Sequence, residues 1–219
     1  METRVLVVSA SPIKGGSVDD FTEKIVRFFS AKPEVKTETV NLGQLDIGDC
    51  CHCNWCNKKQ AEDKYCAMED DAQPLFKLVE AAHILVLATP VYFMRTSGRM
   101  AVFIDRLRHF MWGNITRGRL RNKIGVSAAV SWVRHGGVET THLTHIMAFL
   151  ALEMIPVSSH FSASLLGAGA VSSPGGSGVW NPPHIGIEED EIGLQTIKPI
   201  MSRALDLARI MKNSQGRTR

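Results

Sequence analysis

The chain has 219 residues, 44% of them hydrophobic and 21% charged, which suits one α/β domain with a sizeable core. A net charge of +3 is too small to point to nucleic acid, and apolar runs such as Ile84–Ala88 are far too short to span a membrane. The start, METRVLVV, has no long apolar core and no small-residue cleavage site, so no signal peptide is expected and the cytoplasm is the expected compartment.

Val5–Val8 is a continuous apolar run, as in a strand covered on both faces. It enters a polar turn, Ser9–Ser17, with three hydroxyls (Ser9, Ser11, Ser17) and the pair Gly15-Gly16. A helix is predicted over Ser17–Ser30, with Ser17 as its cap and Asp19 and Asp20 at its positive end. Backbone donors at such a helix start suit a phosphate. Lys36–Asn41 alternates and is read as a second strand at an edge. Residues 42–69 form a long excursion that holds every cysteine. A helix over Asp71–Ala82 follows, then a third strand, His83–Thr89, which Pro90 is expected to end. The loop 91–98 leads into a helix over Gly98–Met111. The fourth strand is Lys123–Val130, followed by the loop 131–137 and a helix over Val138–Leu152. Ile155–Ser159 is the fifth strand, residues 162–187 are an irregular Gly/Ser/Pro-rich segment, and the last helix covers 188–212. The tail beyond it is expected to fray.

Strands alternating with helices predict a doubly wound parallel sheet, with the whole of 1–219 as one domain. Ligands of such sheets bind beyond the carboxyl ends of the strands. The first turn matches neither G-x-G-x-x-G nor G-x-x-x-x-G-K-[ST]. Its hydroxyls suit a terminal phosphate monoester, which favours FMN over a dinucleotide and the flavodoxin-like order 2-1-3-4-5.

Three further groups of residues carry chemistry. Thr89-Pro90-Val91-Tyr92-Phe93-Met94 offers an apolar platform and backbone donors for a flat ring, or simply packs beneath its own loop. In Ser131-Trp132-Val133-Arg134-His135-Gly136-Gly137 the glycines permit close backbone approach. Arg134 or His135 there could meet negative charge on a reduced flavin, and His135 could equally be an exposed loop histidine. Third, all 5 cysteines lie between Cys50 and Cys66, too clustered for a loop-closing disulfide framework. Cys50, Cys53 and Cys56 form C-x2-C-x2-C and Cys66 can return as a fourth thiolate, a pattern suited to an iron–sulfur cluster. Zinc, a redox dithiol or no metal are the alternatives, with Cys51 as a spare ligand and His52 as a donor beside the site. His142 and His145 are expected to be structural, and the basic run Arg95–Lys123 to be a solvated face or subunit contact. Phe110 and Trp112 within that run lean toward an oligomer interface.

These motifs resemble the iron–sulfur flavoproteins, within the NADPH-dependent FMN reductase group of flavodoxin-like proteins. The resemblance is carried by Ser9-Ala10-Ser11-Pro12 through Gly16-Ser17, the cysteine run with Cys66, Glu69-Asp70-Asp71, Thr89-Pro90-Val91-Tyr92-Phe93 and Phe103-Ile104-Asp105-Arg106. It implies FMN and a [4Fe–4S] cluster in a homo-oligomer, dimer or tetramer, with a ferredoxin-like donor or NAD(P)H. By position, Ser9, Ser11, Gly16 and Ser17 would face the phosphate, with Ile13 and Val18 in the same turn. Thr89, Pro90, Val91, Tyr92, Phe93 and Met94 would line the ring, and Trp132, Gly136 and Gly137 would close over it. Cys50, Cys53, Cys56 and Cys66 would hold the cluster. The chain departs from the family where Ile13 replaces an arginine, where Ser17-Val18 replaces Asn-Thr or Asn-Ser, and in a longer gap between Cys56 and Cys66. The expected activity is electron transfer between cluster and FMN. A cluster-free NAD(P)H-dependent FMN or quinone reductase and a redox- or metal-sensing binding module are the alternatives.

Overall fold

A computed structural model describes residues 2–179 and 186–215. Residues 180–185 of the irregular segment and 216–219 of the tail lie outside the described residues. Four long parallel strands form the sheet: β1 (Thr3–Ser9), β2 (Val35–Asn41), β3 (Ile84–Tyr92) and β5 (Ile124–Ser131). Their spatial order is β2-β1-β3-β5, with a fifth position beyond β5. The flavodoxin-like order is therefore observed.

Helices cover both faces, as the uninterrupted apolar strands require. Val5, Val7, Val86 and Val126 point to α1 (Ser17–Ser30) and α7 (Ile197–Gln215). Leu6, Val8, Leu85 and Leu87 point to α2 (Ala72–Ala81), α3 (Gly98–Arg106), α4 (His109–Trp112) and α5 (Val138–Ala151). Gly125 lies against the Phe149 ring of α5, where a Cβ would come within 2.4 Å.

Several expectations need correction. β3 runs through Pro90 to Tyr92 and turns back through β4 (Arg95–Thr96). Pairing with β1 stops at Ala88, so Pro90 has a strand on one side only and its missing N–H is tolerated. The fifth strand is split. β6 is only Ile155–Pro156, beside the start of β5, and β7 (Ala168–Val171) takes the far half. The sequence Ala-Gly-Ala-Val has neither turn chemistry nor β-branched density, so it reads as irregular. The helix over 98–111 breaks after Arg106, where the Leu107 amide is shared between the Phe103 and Ile104 carbonyls. The last helix is α6 (Glu191–Gln195) followed by α7. Thr196 interrupts it, accepting from the Gly169 amide at 3.0 Å and donating to the Gly193 carbonyl at 2.6 Å. Gly16, not Ser17, occupies the cap position of α1, without a side-chain cap bond.

Half of the basic run is exposed, namely Arg95, Arg99, Arg117 and Arg121, but several of its members are paired. Arg106 is buried against Asp70, Arg119 joins Glu62 and Glu80, and Arg121 joins Glu153. Lys123 is driven down to about 8 by burial, and its Nζ donates to the Glu80 and Ala82 carbonyls. Phe110 is in the core, leaving Trp112 as the exposed aromatic of that stretch.

Candidate functional site

The loops after β1, β3 and β5 meet at one sheet edge, as the parallel order dictates. The first turn is held from within. Ser9 and Ser11 are buried, the Ser11 amide donates to Ser9 Oγ at 3.2 Å, and Ser11 Oγ donates to the Ile13 carbonyl at 2.8 Å. Gly15 has φ +69°, and its amide donates to Asp19 Oδ2 at 2.9 Å. A Cβ at Gly43 would stand 2.2 Å from the Ser11 carbonyl, so the end of β2 presses on the same turn. Ile13 is exposed and Val18 is packed in the core behind the turn. Opening onto the α1 N-terminus, the turn has the form of an anion cradle. The Asp19 carboxylate already sits at its edge.

Phe93 and Met94 form the two-residue turn between β3 and β4, both with positive φ (49° and 60°). That conformation favours Asn and Gly. Bulky residues here store backbone strain, which clusters at ligand sites. Phe93 is 97% exposed, and Tyr92 and Met94 are also exposed. At the base of the loop, Thr89 Oγ1 donates to Ser97 Oγ at 2.9 Å.

The third loop locks onto the second. Gly137 has φ +102°, and a Cβ there would lie 2.3 Å from Met94 Cα. Thr140 Oγ1 donates to the Met94 carbonyl. Gly136 donates to the Val133 carbonyl, turning the loop tightly. Arg134 is drawn to the other side: its amide donates to Gly176 and its guanidinium lies 3.5 Å from Asp190. His135 is exposed, and Trp132 is half-buried beside the 173–178 segment. An apolar, strained platform between an anion cradle and a close-packed glycine loop can hold a flat ring bearing a phosphate.

The cysteines form a second region. Cys50, Cys51 and Cys53 are exposed, and Cys56 and Cys66 are half-buried. His52 and Asn54 both take left-handed backbone, which coils the run between Cys50 and Cys56. Burial pushes the Cys56 thiol up, opposed by Arg108, and Cys66, Cys50 and Cys53 are near enough to add to the rise. No three Cys, His, Asp or Glu side chains stand at ligating distances among the described residues. In donor chemistry the set fits a thiolate-held cluster, with the exposed run as the part that has to draw in.

The loop is anchored at its root by residues the motif reading left without a role. Arg106 donates to the Gly48 carbonyl at 2.7 Å and to both Asp70 oxygens, and its Nη2 lies 3.5 Å from Cys66 Sγ. Burial would raise the Asp70 carboxyl, but Arg106 and the Gly48 amide outweigh it and hold it below the ordinary carboxylate range. Gln73 Nε2 donates to the Cys66 carbonyl at 2.6 Å, and buried Gln60 ties Tyr65 to Thr116. Arg106 and Asp70 belonged to quoted motifs, yet only their contact shows that they close both ends of the loop. Beside Cys50 and His52 lies a cavity of about 400 Å³ whose wall includes Leu107, Met111 and Trp112.

The family described as NADPH-dependent FMN reductase matches residues 3–166. Among curated proteins, an iron–sulfur flavoprotein of Methanocaldococcus jannaschii is 28% identical over 209 residues, covering 95% of this chain and 99% of the relative. An iron–sulfur flavoprotein of Archaeoglobus fulgidus is 27% identical over 210 residues, covering 96% and 98%. Among solved structures, RosB with bound 8-demethyl-8-formylriboflavin-5'-phosphate superposes with a TM-score of 0.72 at 17% identity, over 96% of this chain and 81% of that one. A WrbA-like flavodoxin from Agrobacterium tumefaciens gives 0.60 at 14% identity, over 95% and 98%. These likenesses to solved structures show the fold.

Proposed function

Because the chain belongs to the NADPH-dependent FMN reductase family, we propose that this flavin-dependent oxidoreductase binds FMN at the β1, β3 and β5 loops and a [4Fe–4S] cluster at Cys50, Cys53, Cys56 and Cys66. The observation that carries the flavin half is the seating of Gly137 on Met94, which packs the loop after β5 directly against the β3–β4 turn. The pattern Cys50, Cys53 and Cys56 on one loop, with Cys66 at the loop's root beside Arg106, supports the cluster half. When bound, FMN supplies conversion between one- and two-electron transfer, and the cluster supplies single-electron transfer.

The chain's own residues bind and orient. The Ser9–Ser17 turn receives the phosphate on backbone donors, while the serine hydroxyls keep the turn in shape. Residues 90–94 lie along the ring and the 136–137 backbone closes over it. Arg106 holds Cys66 and the entry of the cysteine run at Gly48. The exposed apolar residues Leu143, Met147 and Leu150, at helical spacing on α5, support a homo-oligomer. A ferredoxin-like protein or NAD(P)H is the proposed electron source. Among the described residues no helix is long and apolar enough to cross a membrane.

Anaerobic purification followed by iron, sulfide and flavin assays tests the reading. About four iron atoms and one FMN per chain are expected. Flavin without iron would favour the second reading, a cluster-free reductase, to which the exposure of Cys50, Cys51 and Cys53 lends weight. Absence of flavin would overturn both.

A further inference from the structure

The opposite edge of the sheet, where the strands begin, gathers positive charge. A cavity of about 250 Å³ opens there between the starts of β1, β3 and β5 and the end of α7. Its wall carries the cations Arg4, Arg119, Arg121, Lys123 and Lys212 against a single carboxylate, Glu80, with Asn122 as a neutral polar neighbour. Arg119 is answered by Glu80 and Glu62, and Arg121 by Glu153. The Glu80 oxygens are engaged by Arg119 and by the Tyr65 hydroxyl. Lys123 and Lys212 are held by neutral oxygens: Lys123 Nζ donates to the Glu80 and Ala82 carbonyls, and Lys212 Nζ donates to the Glu2 carbonyl and to Thr3 Oγ1. Each ammonium keeps a third N–H to give. The exposed Arg4 guanidinium has no hydrogen bond or ion pair among the described residues.

His83 completes the wall. Its Nδ1 accepts from the Arg4 amide at 2.9 Å. Burial first, then Lys212, Lys123 and Arg4, depress the ring to about 4, so it is neutral near pH 7 and carries its proton on Nε2. That N–H meets no acceptor among the described residues, and it is not sealed from solvent as the orphaned Nε2 atoms of His109 and His142 are. The negative C-terminal ends of α2 and α7 take up part of the surrounding charge, and the Glu2 carboxylate favours charged Lys212. The remainder still repels itself. After burial, Arg4 lowers Lys123 and Lys212 as it lowers His83. A recess rich in donors, whose cations weaken one another, is relieved by an anion.

We propose that this cavity binds a small tetrahedral dianion, a phosphate group free or on a small monoester, with His83 Nε2 and the Arg4 guanidinium as its donors and Lys123 and Lys212 as flanking charge. A guanidinium and an imidazole N–H suit the several oxygens of such a group. The site stands at the other end of the sheet from the Ser9–Ser17 turn, so it does not depend on the flavin or the cluster.

The test uses the full-length ¹⁵N-labelled protein, long-range ¹H–¹⁵N spectra of its imidazoles, and sulfate as probe, which stays a dianion through the acid and neutral range. Chloride at equal ionic strength is the control. Sulfate is expected to shift His83 Nε2 saturably, to leave the exposed His160 unmoved, and to raise the His83 midpoint from about 4 by about one unit, which is about tenfold tighter binding to the protonated ring. Arg4→Gln, at an exposed side chain, should weaken sulfate about tenfold. Arg117→Gln removes the same charge from an exposed residue outside the cavity wall and should change the affinity by less than about twofold. Inorganic phosphate and glycerol 3-phosphate should both displace sulfate, and the tighter of the two tells a free ion from a monoester. The proposal is overturned if His83 does not move, if chloride moves it as far, if neither phosphate displaces sulfate, or if Arg117→Gln weakens binding as much as Arg4→Gln.

Discussion

The proposed flavin edge and the cysteine loop hold their residues in opposite ways. At the flavin edge, three short loops are pressed together through backbone: Gly43 on Ser11, Gly137 on Met94, Thr140 on the Met94 carbonyl. In the cysteine loop the fixed points are Gly48, Gln60, Cys66 and Asp70, while Cys50, Cys51 and Cys53 stand exposed between them. One region is shaped before its ligand arrives. The other is clamped at the root and leaves its tip exposed, to be drawn in by the proposed cluster.

The largest expected effect breaks the clamp. Arg106→Met strands the Asp70 carboxylate, whose side chain is only 12% exposed, and should lower stability by about 3–5 kcal/mol in urea unfolding. Iron content of the folded fraction should fall with it, because Gly48 and Cys66 lose their shared donor. Next, Gly137→Val forces a Cβ onto Met94 at a φ that L-residues avoid. A loss of about 3 kcal/mol and of bound flavin is expected, with iron retained, read by thermal unfolding and cofactor assay.

Acid should act on the flavin side. His145 titrates near 6.5 when unfolded and at about 3 when folded. Below pH 6.5 the unfolded chain takes up a proton that the folded chain refuses, so stability falls as pH drops from about 6.5 toward 3, by on the order of a few kcal/mol. Urea midpoints measured across this range should flatten in His145→Gln. The smallest effect sharpens the comparison from the cradle. Asp19→Asn keeps an acceptor for the Gly15 amide but removes a negative charge from the phosphate side, so FMN should bind several-fold more tightly, about 1 kcal/mol, by fluorescence titration.

Much of this was legible in the chain. Apolar runs such as Val5–Val8 gave the strands, and their alternation with amphipathic helices gave the parallel order. Ala168–Val171 escaped because small residues carry no strand signal; the smallness of Gly169 is what lets the segment lie against Val138 and His142. Periodicity could not show that Arg106, Arg119 and Arg121 of the basic run have acidic partners far away in sequence, while Arg95, Arg99 and Arg117 stay exposed as on a solvated face. The loops of the flavin edge were visible as motifs. Their mutual contacts were not, because a glycine's neighbour across space leaves no mark in local sequence.

The central claim is that the flavin edge is complete without the cysteines. Its direct test is FMN affinity and iron content measured on the same anaerobic preparations of the unaltered protein and of Cys53→Ser/Cys56→Ser. The account predicts that iron is lost while FMN affinity stays within about twofold. Loss of FMN together with the iron would contradict it.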